Sequence, residues 1–219
     1  MKFIFFYSPL YAFYHRHIHR NLDPYFVVED VAIPDLTNAG GIHCFFGGVS
    51  IKIELIIQKI KENMGSSIVF SDATILINSA NANQLPEFFE KHSSNDLCFA
   101  DNDGNGYYNI GIILIKCHRN TLLFFKNVLK QLVDTKGWDQ EVINRRLENN
   151  PYFKVGVFDR SKIYCNWGFD NQYRESHLIF KSFTPHNSNM TITFNNRLDI
   201  FKQYNLITEE EYDENYKPV

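Results

Sequence analysis

The stretch Ser67 to Ile77, SIVFSDATILI, carries an apolar run into an aspartate and, two positions later, a threonine. Ile68 to Phe70 contains no polar residue, as expected of a central strand covered on both faces, and Asp72 falls at its C-terminal end. In open α/β sheets, ligands gather outside the carboxyl ends of the strands, where a carboxylate can reach them without entering the core. Position alone is weak ground for a function, because aspartates also cap turns at strand ends.

Upstream, Ser50 can cap a helix running to Met64, with Ile51, Leu55, Ile56 and Ile60 on one face and Gln58, Lys59, Lys61 and Glu62 on the other, ended by Gly65. Before it, Ile33 to Gly48 is rich in Pro, Asn and Gly and reads as an irregular loop. Lys2 to Tyr7 is a run of β-formers that stops at Ser8-Pro9; Tyr11 to Arg20 reads as a short helix and Tyr25 to Val28 as a second strand. Downstream, Gln84 to Lys91 reads as a helix, Leu97 to Ala100 as a strand, Asp101 to Gly106 as a loop, and Tyr107 to Lys116 as a strong strand. Asn120 or Thr121 can cap a helix with the apolar face Leu122, Leu123, Phe125, Val128, Leu129 and Leu132, ended by Gly137. Asp139 then caps or opens a helix through Leu147, and Lys154 to Phe158 reads as a further strand. Strand and helix alternate, so the expected class is α/β: a mixed, mostly parallel sheet with helices on both faces.

A chain of 219 residues with 44% hydrophobic content suits one well-buried domain, 1–219, with an acidic, flexible tail from about residue 207. The formal charge of -3, from 22 basic and 25 acidic residues, provides no field to gather nucleic acid or an anionic membrane. Cys44, Cys98, Cys117 and Cys165 are scattered without a CxxC pair, which argues against a zinc knuckle or a disulfide framework. The N-terminal apolar run is too short to span a membrane and lacks a small-residue cleavage site, so a soluble, cytoplasmic protein is expected.

Three further features could carry chemistry. Asn109 and Gly111 interrupt the apolar strand YYNIGIILIK, and an amide there needs a partner. Trp138-Asp139-Gln140 places polar groups at a helix start, and His186 follows the strand-like run Leu178 to Phe183. A fourth, HRHIH, puts His15, His17 and His19 on one face of a strand, or His15 and His19 alone on one face of a helix; solvated histidines on a surface helix are the expectation. The turn after the first strand, SPLYAFYH, has no GxGxxG, which disfavours a dinucleotide-binding oxidoreductase.

In this order the motifs resemble the nucleotide-diphospho-sugar transferases of GT-A type, from about Tyr7 to about Phe201. FSDATI is similar to the DxD element with Thr74 in place of the second carboxylate, YYNIGIILIK to the NxG strand, WDQEVINRRL to the DQ helix and FTPHN to the C-terminal histidine. The resemblance implies a glycosyltransferase, hexosyl or pentosyl, that takes a nucleotide sugar, with UDP-sugar the expected donor, to a glycan, protein or small-molecule hydroxyl. It implies Mn2+ or Mg2+ at Asp72, Thr74 and His186. Tyr7, Ser8 and Lys52 would lie near the nucleotide or its phosphates, and Asn109, Asp139 and Gln140 would face sugar or acceptor, with retention of configuration. A binding protein that has lost turnover on the same fold is the alternative.

Overall fold

The computed structural model describes residues 1–7, 11–33, 42–102, 106–148, 150–165, 175–181, 190–203 and 207–216. The first half holds β1 (Lys2–Tyr7), α1 (Ala12–Leu22), β2 (Val27–Ala32), α2 (Ile42–Glu62), β3 (Ser67–Asp72), β4 (Leu76–Ile77) and α3 (Leu85–His92). It continues with β5 (Leu97–Asn102), β6 (Tyr107–Lys116), α4 (Arg119–Thr135), α5 (Asp139–Glu148), β7 (Val155–Val157), β8 (Ile163–Cys165), β9 (Ile179–Lys181), α6 (Met190–Gln203) and α7 (Glu209–Asn215). The strands form one sheet in the order β2-β1-β3-β6-β5-β8-β9-β4, with β7 paired to β5. β1 runs parallel to β2 and β3, and β5 is parallel to β7 and β8. β6 lies antiparallel between β3 and β5.

Period-two alternation divides the core between the two faces. Phe3, Phe5, Val69, Ile112 and Leu114 pack with Phe13, Tyr14 and Ile18 of α1. Ile4, Ile68, Phe70, Ile113 and Ile115 pack with Ile53, Ile56 and Ile60 of α2 and Phe125 and Val128 of α4. Within α1, His17 is buried; its Nε2 accepts the Ile77 N–H at 3.0 Å and so ties the helix to β4. Burial first, then Arg20, holds its imidazole down at about 4, in the neutral form. The described cysteines, Cys98, Cys117 and Cys165, are buried. Among the described residues no helix is long and apolar enough to cross a membrane.

Several boundaries differ from the sequence expectation. β2 spans Val27–Ala32 rather than Tyr25 to Val28, because as an edge strand it tolerates Glu29, which pairs with Lys2 and Lys59. α2 begins at Ile42, inside the segment read as loop; a glycine in a helix interior costs about 1 kcal/mol, which tertiary packing overrides. α4 is capped by His118, whose Nδ1 accepts the Asn120 N–H, and it ends on left-handed Lys136 rather than at Gly137. β8, three buried residues, links β5 to β9 in the sheet. The acidic end is a helix, not a free tail. Thr208 and Glu211 cap α7 reciprocally, and Glu211 pairs with Arg20 while Asn215 accepts from Arg16 at 3.0 Å.

Candidate active site

β3 delivers Asp72 to its own last position, where two lysines meet it. Lys52 Nζ lies 2.9 Å from Asp72 Oδ1, and Lys181 Nζ pairs with Oδ2. Lys52 is buried in α2 and reaches two further oxygens, Asp139 Oδ2 at 3.5 Å and the Ile110 carbonyl at 3.0 Å. Burial opposes charge on Asp72, but Lys181 and then Lys52 outweigh it and hold the carboxyl down at about 2. Burial likewise acts to lower Lys52, and Asp72 and Asp139 reverse that, leaving its ammonium above the ordinary value. The cluster is therefore a neutral quartet of two ammonium groups and two carboxylates at the end of the central strand.

The interruption in β6 explains how these groups converge. β5 and β6 slip in register, so that Phe99 faces Ile113 while the next residue, Ala100, faces Asn109. Ile110 and Gly111 lie in this bulge, and side chains take up their backbone groups. Gln140 Oε1 accepts the Ile110 N–H at 3.3 Å and Lys52 donates to its carbonyl. Asn109 Oδ1 accepts the Gly111 N–H at 2.8 Å, and Ser71 Oγ donates to the Gly111 carbonyl at 3.1 Å. One residue earlier, Asn144 of α5 serves as a neighbouring strand would: Oδ1 accepts the Tyr108 N–H at 2.8 Å and Nδ2 donates to its carbonyl at 2.9 Å. Gly111 has a second purpose. A Cβ there would stand 2.8 Å from Lys181 Cδ and 2.9 Å from Asn109 Oδ1, with the ammonium nearer still, so the missing side chain is the passage through which Lys181 reaches Asp72.

The structure thus brings together Lys52, Asp72, Asn109, Asp139 and Gln140. Thr74 stands two residues beyond β3, half-buried. Tyr7 ends β1 with its ring 4.3 Å from that of His15. Ser8 and His186 lie outside the described residues. Asp139 has one oxygen on the Gln140 N–H and the other facing Lys52. Asp101 Oδ1, by contrast, is buried with no hydrogen-bond partner among the described residues. Sequence reasoning missed Lys181, whose one signal was the glycine that makes room for it. A cleft of about 750 Å³ lined by Leu123, Phe124, Arg145 and Tyr152 shares no residue with this cluster.

Two solved glycosyltransferase structures share this architecture. One, involved in the glycosylation of the major capsid of PBCV-1, is 13% identical with a TM-score of 0.62, covering 82% of this chain and 92% of its own. A second, GlyE of Streptococcus pneumoniae TIGR4, is 10% identical with a TM-score of 0.56, covering 94% of this chain and 64% of that one. The chain has the GT-A glycosyltransferase fold. No family model and no curated protein matches its sequence.

The family resemblance puts the expected divalent ion at Asp72, and a hard cation wants anionic oxygen. Here both Asp72 oxygens already hold ammonium groups, Asp139 is shared with Lys52, and Thr74 brings no charge. The described donor set does not fit Mn2+ or Mg2+. What it offers instead is two ammonium groups, each already paired with a carboxylate, in a partly desolvated niche.

Proposed function

We propose that this chain transfers a sugar from a nucleotide-diphosphate donor to a hydroxyl acceptor, with Lys181 and Lys52 as the counter-charge for the departing diphosphate. The observation that carries the reading is the lysine pair on Asp72 at the strand end of a GT-A fold. Cleavage of the bond between anomeric carbon and diphosphate leaves negative charge on the phosphate and an oxocarbenium-like sugar, so a cation must meet the leaving oxygen. Lys181, with its side chain one-fifth exposed, is the lysine able to turn from Asp72 to phosphate; Lys52, 7% exposed and shared with Asp139, stays to neutralise the carboxylates. Asn109 and Gln140 act as positioning residues, since their side-chain oxygens hold the bulge that carries Gly111. Asp101, whose Oδ1 has no hydrogen-bond partner among the described residues, is the group to take the acceptor proton in an inverting transfer.

Calorimetric titration of UDP, GDP and CMP, each in chelator and then with Mn2+, tests this. UDP is expected to bind in chelator, and Lys181→Met to weaken it by about 10- to 100-fold, the worth of one charge-assisted hydrogen bond. Binding that appears only with Mn2+ would reject the lysine counter-charge and restore a metal at Asp72. No binding of any nucleotide would reject the donor site. Release of nucleotide from its sugar then separates an enzyme from a binding protein, which would leave the donor intact.

A further inference from the structure

The donor site leaves the HRHIH segment unexplained. On α1, His15 and His19 stand one turn apart, and both rings lie against Phe5, at 5.8 and 5.7 Å between centroids. Phe5 pairs in register with Asp30 of the edge strand β2, which places the carboxylate opposite the two imidazoles. His15 Nε2 is 3.1 Å from Asp30 Oδ2, and His19 Nε2 is 3.6 Å from Asp30 Oδ1. One ligand atom from each of the three residues lies within 4.8 Å of the others. The remaining nitrogen of His19, Nδ1, is 2.9 Å from Asp23 Oδ1.

We propose that His15, His19 and Asp30 bind a zinc-class divalent ion, with Asp23 as the carboxylate that orients His19. Zinc holds nitrogen and oxygen ligands at about 2.0–2.2 Å, so neighbouring ligands of a tetrahedron stand about 3.3–3.5 Å apart. The two nitrogen-to-oxygen separations, 3.1 and 3.6 Å, bracket that range. A proton on Nδ1 donated to Asp23 leaves the Nε2 lone pair facing an Asp30 oxygen. Two acceptors so placed are joined by a cation between them, and a carboxylate behind a histidine is the usual support of a zinc ligand. Two imidazoles and one carboxylate favour Zn2+ over Mg2+ or Ca2+, which want oxygen alone. His15, His19 and Asp30 are 28, 26 and 36% exposed, which leaves the fourth position to water. The ion would clasp α1 to β2 and steady the ring of Tyr7, packed on His15 at the end of β1. This site is separate from Asp72 and does not rest on the donor reading.

Zinc affinity of the full chain, measured at neutral pH by competition with a chromophoric chelator, is the test, with the visible absorption of bound Co2+ as a second readout. The expected result is one saturable zinc ion, tetrahedral cobalt bands, and no displacement by Mg2+. His15→Ala and His19→Ala should each lower the affinity by at least about tenfold, and Asp23→Ala by about tenfold through lost orientation, with circular dichroism showing all three folded. Asp72→Asn should leave zinc affinity unchanged. Zinc binding absent from the wild type, or unaltered in both histidine variants, would overturn the site and leave these groups as ion pairs with Asp30.

Discussion

Acidification of the wild type beside an Asp72→Asn variant measures directly how firmly the two lysines hold the carboxylate. The ordinary value of 3.8 is brought to about 2 in the folded chain, where burial alone would have raised it. A carboxylate so lowered binds fewer protons folded than unfolded. Its stabilisation is therefore complete above pH 3.8 and is lost as pH falls through that value towards 2. The gap corresponds to about 2.5 kcal/mol in full, of which about 1 kcal/mol has gone by about pH 3. Asparagine keeps the shape but cannot titrate, so the stability difference between the two proteins should be largest near neutrality. Urea unfolding at steps from about pH 6 to about pH 3 should show that difference shrinking by about 1 kcal/mol. A difference that stays constant over this range would refute the pairing of Asp72 with both ammonium groups.

Three other outcomes follow from the same geometry. Gly111→Ala should displace the Lys181 ammonium without unfolding the chain, because the atoms a Cβ would strike include the far end of a flexible side chain; nucleotide titration should show a loss like that of Lys181→Met. Asn144→Ala leaves the N–H and C=O of Tyr108 without their side-chain partner and should cost about 2–4 kcal/mol in urea unfolding. His17, buried and held at about 4 against an ordinary 6.5, stabilises the fold fully above 6.5 and loses that contribution as pH falls towards 4. His17→Gln, which cannot take up a proton there, should flatten stability over this window by about 3 kcal/mol.

How much of this was visible in the chain varies with the kind of interaction. Core strands such as Ile68 to Phe70 and Tyr107 to Lys116 announce themselves because burial on both faces requires apolar runs. Asp72 was singled out by its place at a strand end, and Lys52 only by the family resemblance; in the folded chain Lys52 stands in the middle of α2. β2 was placed too early because an edge strand can carry Glu29 and Asp30, so its pattern is half polar. The helix Glu209–Asn215 looked like a solvated acidic run, since nothing in its own residues shows that Arg16 and Arg20 wait on α1. Lys181 was hidden for a different reason. It ends a three-residue strand, and its partner lies 109 positions earlier, a separation that no local pattern spans.

The bulge in β6 changes what the Asn-Ile-Gly and Asp-Gln motifs mean. Read as a sequence, their amides and carboxylates are contacts waiting for a sugar. In the folded chain the oxygens of Asn109 and Gln140 are taken by the backbone they release from the ladder, and Asp139 faces Lys52. Side chains satisfied in this way hold the bulge, and with it the Gly111 gap that Lys181 occupies. Of the two lysines, Lys181 is held by a single ion pair among the described residues and has a fifth of its side chain exposed. On the proposed reading, an arriving diphosphate would offer that ammonium a second anion while Lys52 remains on Asp72. The counter-charge can therefore move to the phosphate without leaving a buried carboxylate unpaired, the step that would otherwise cost several kcal/mol.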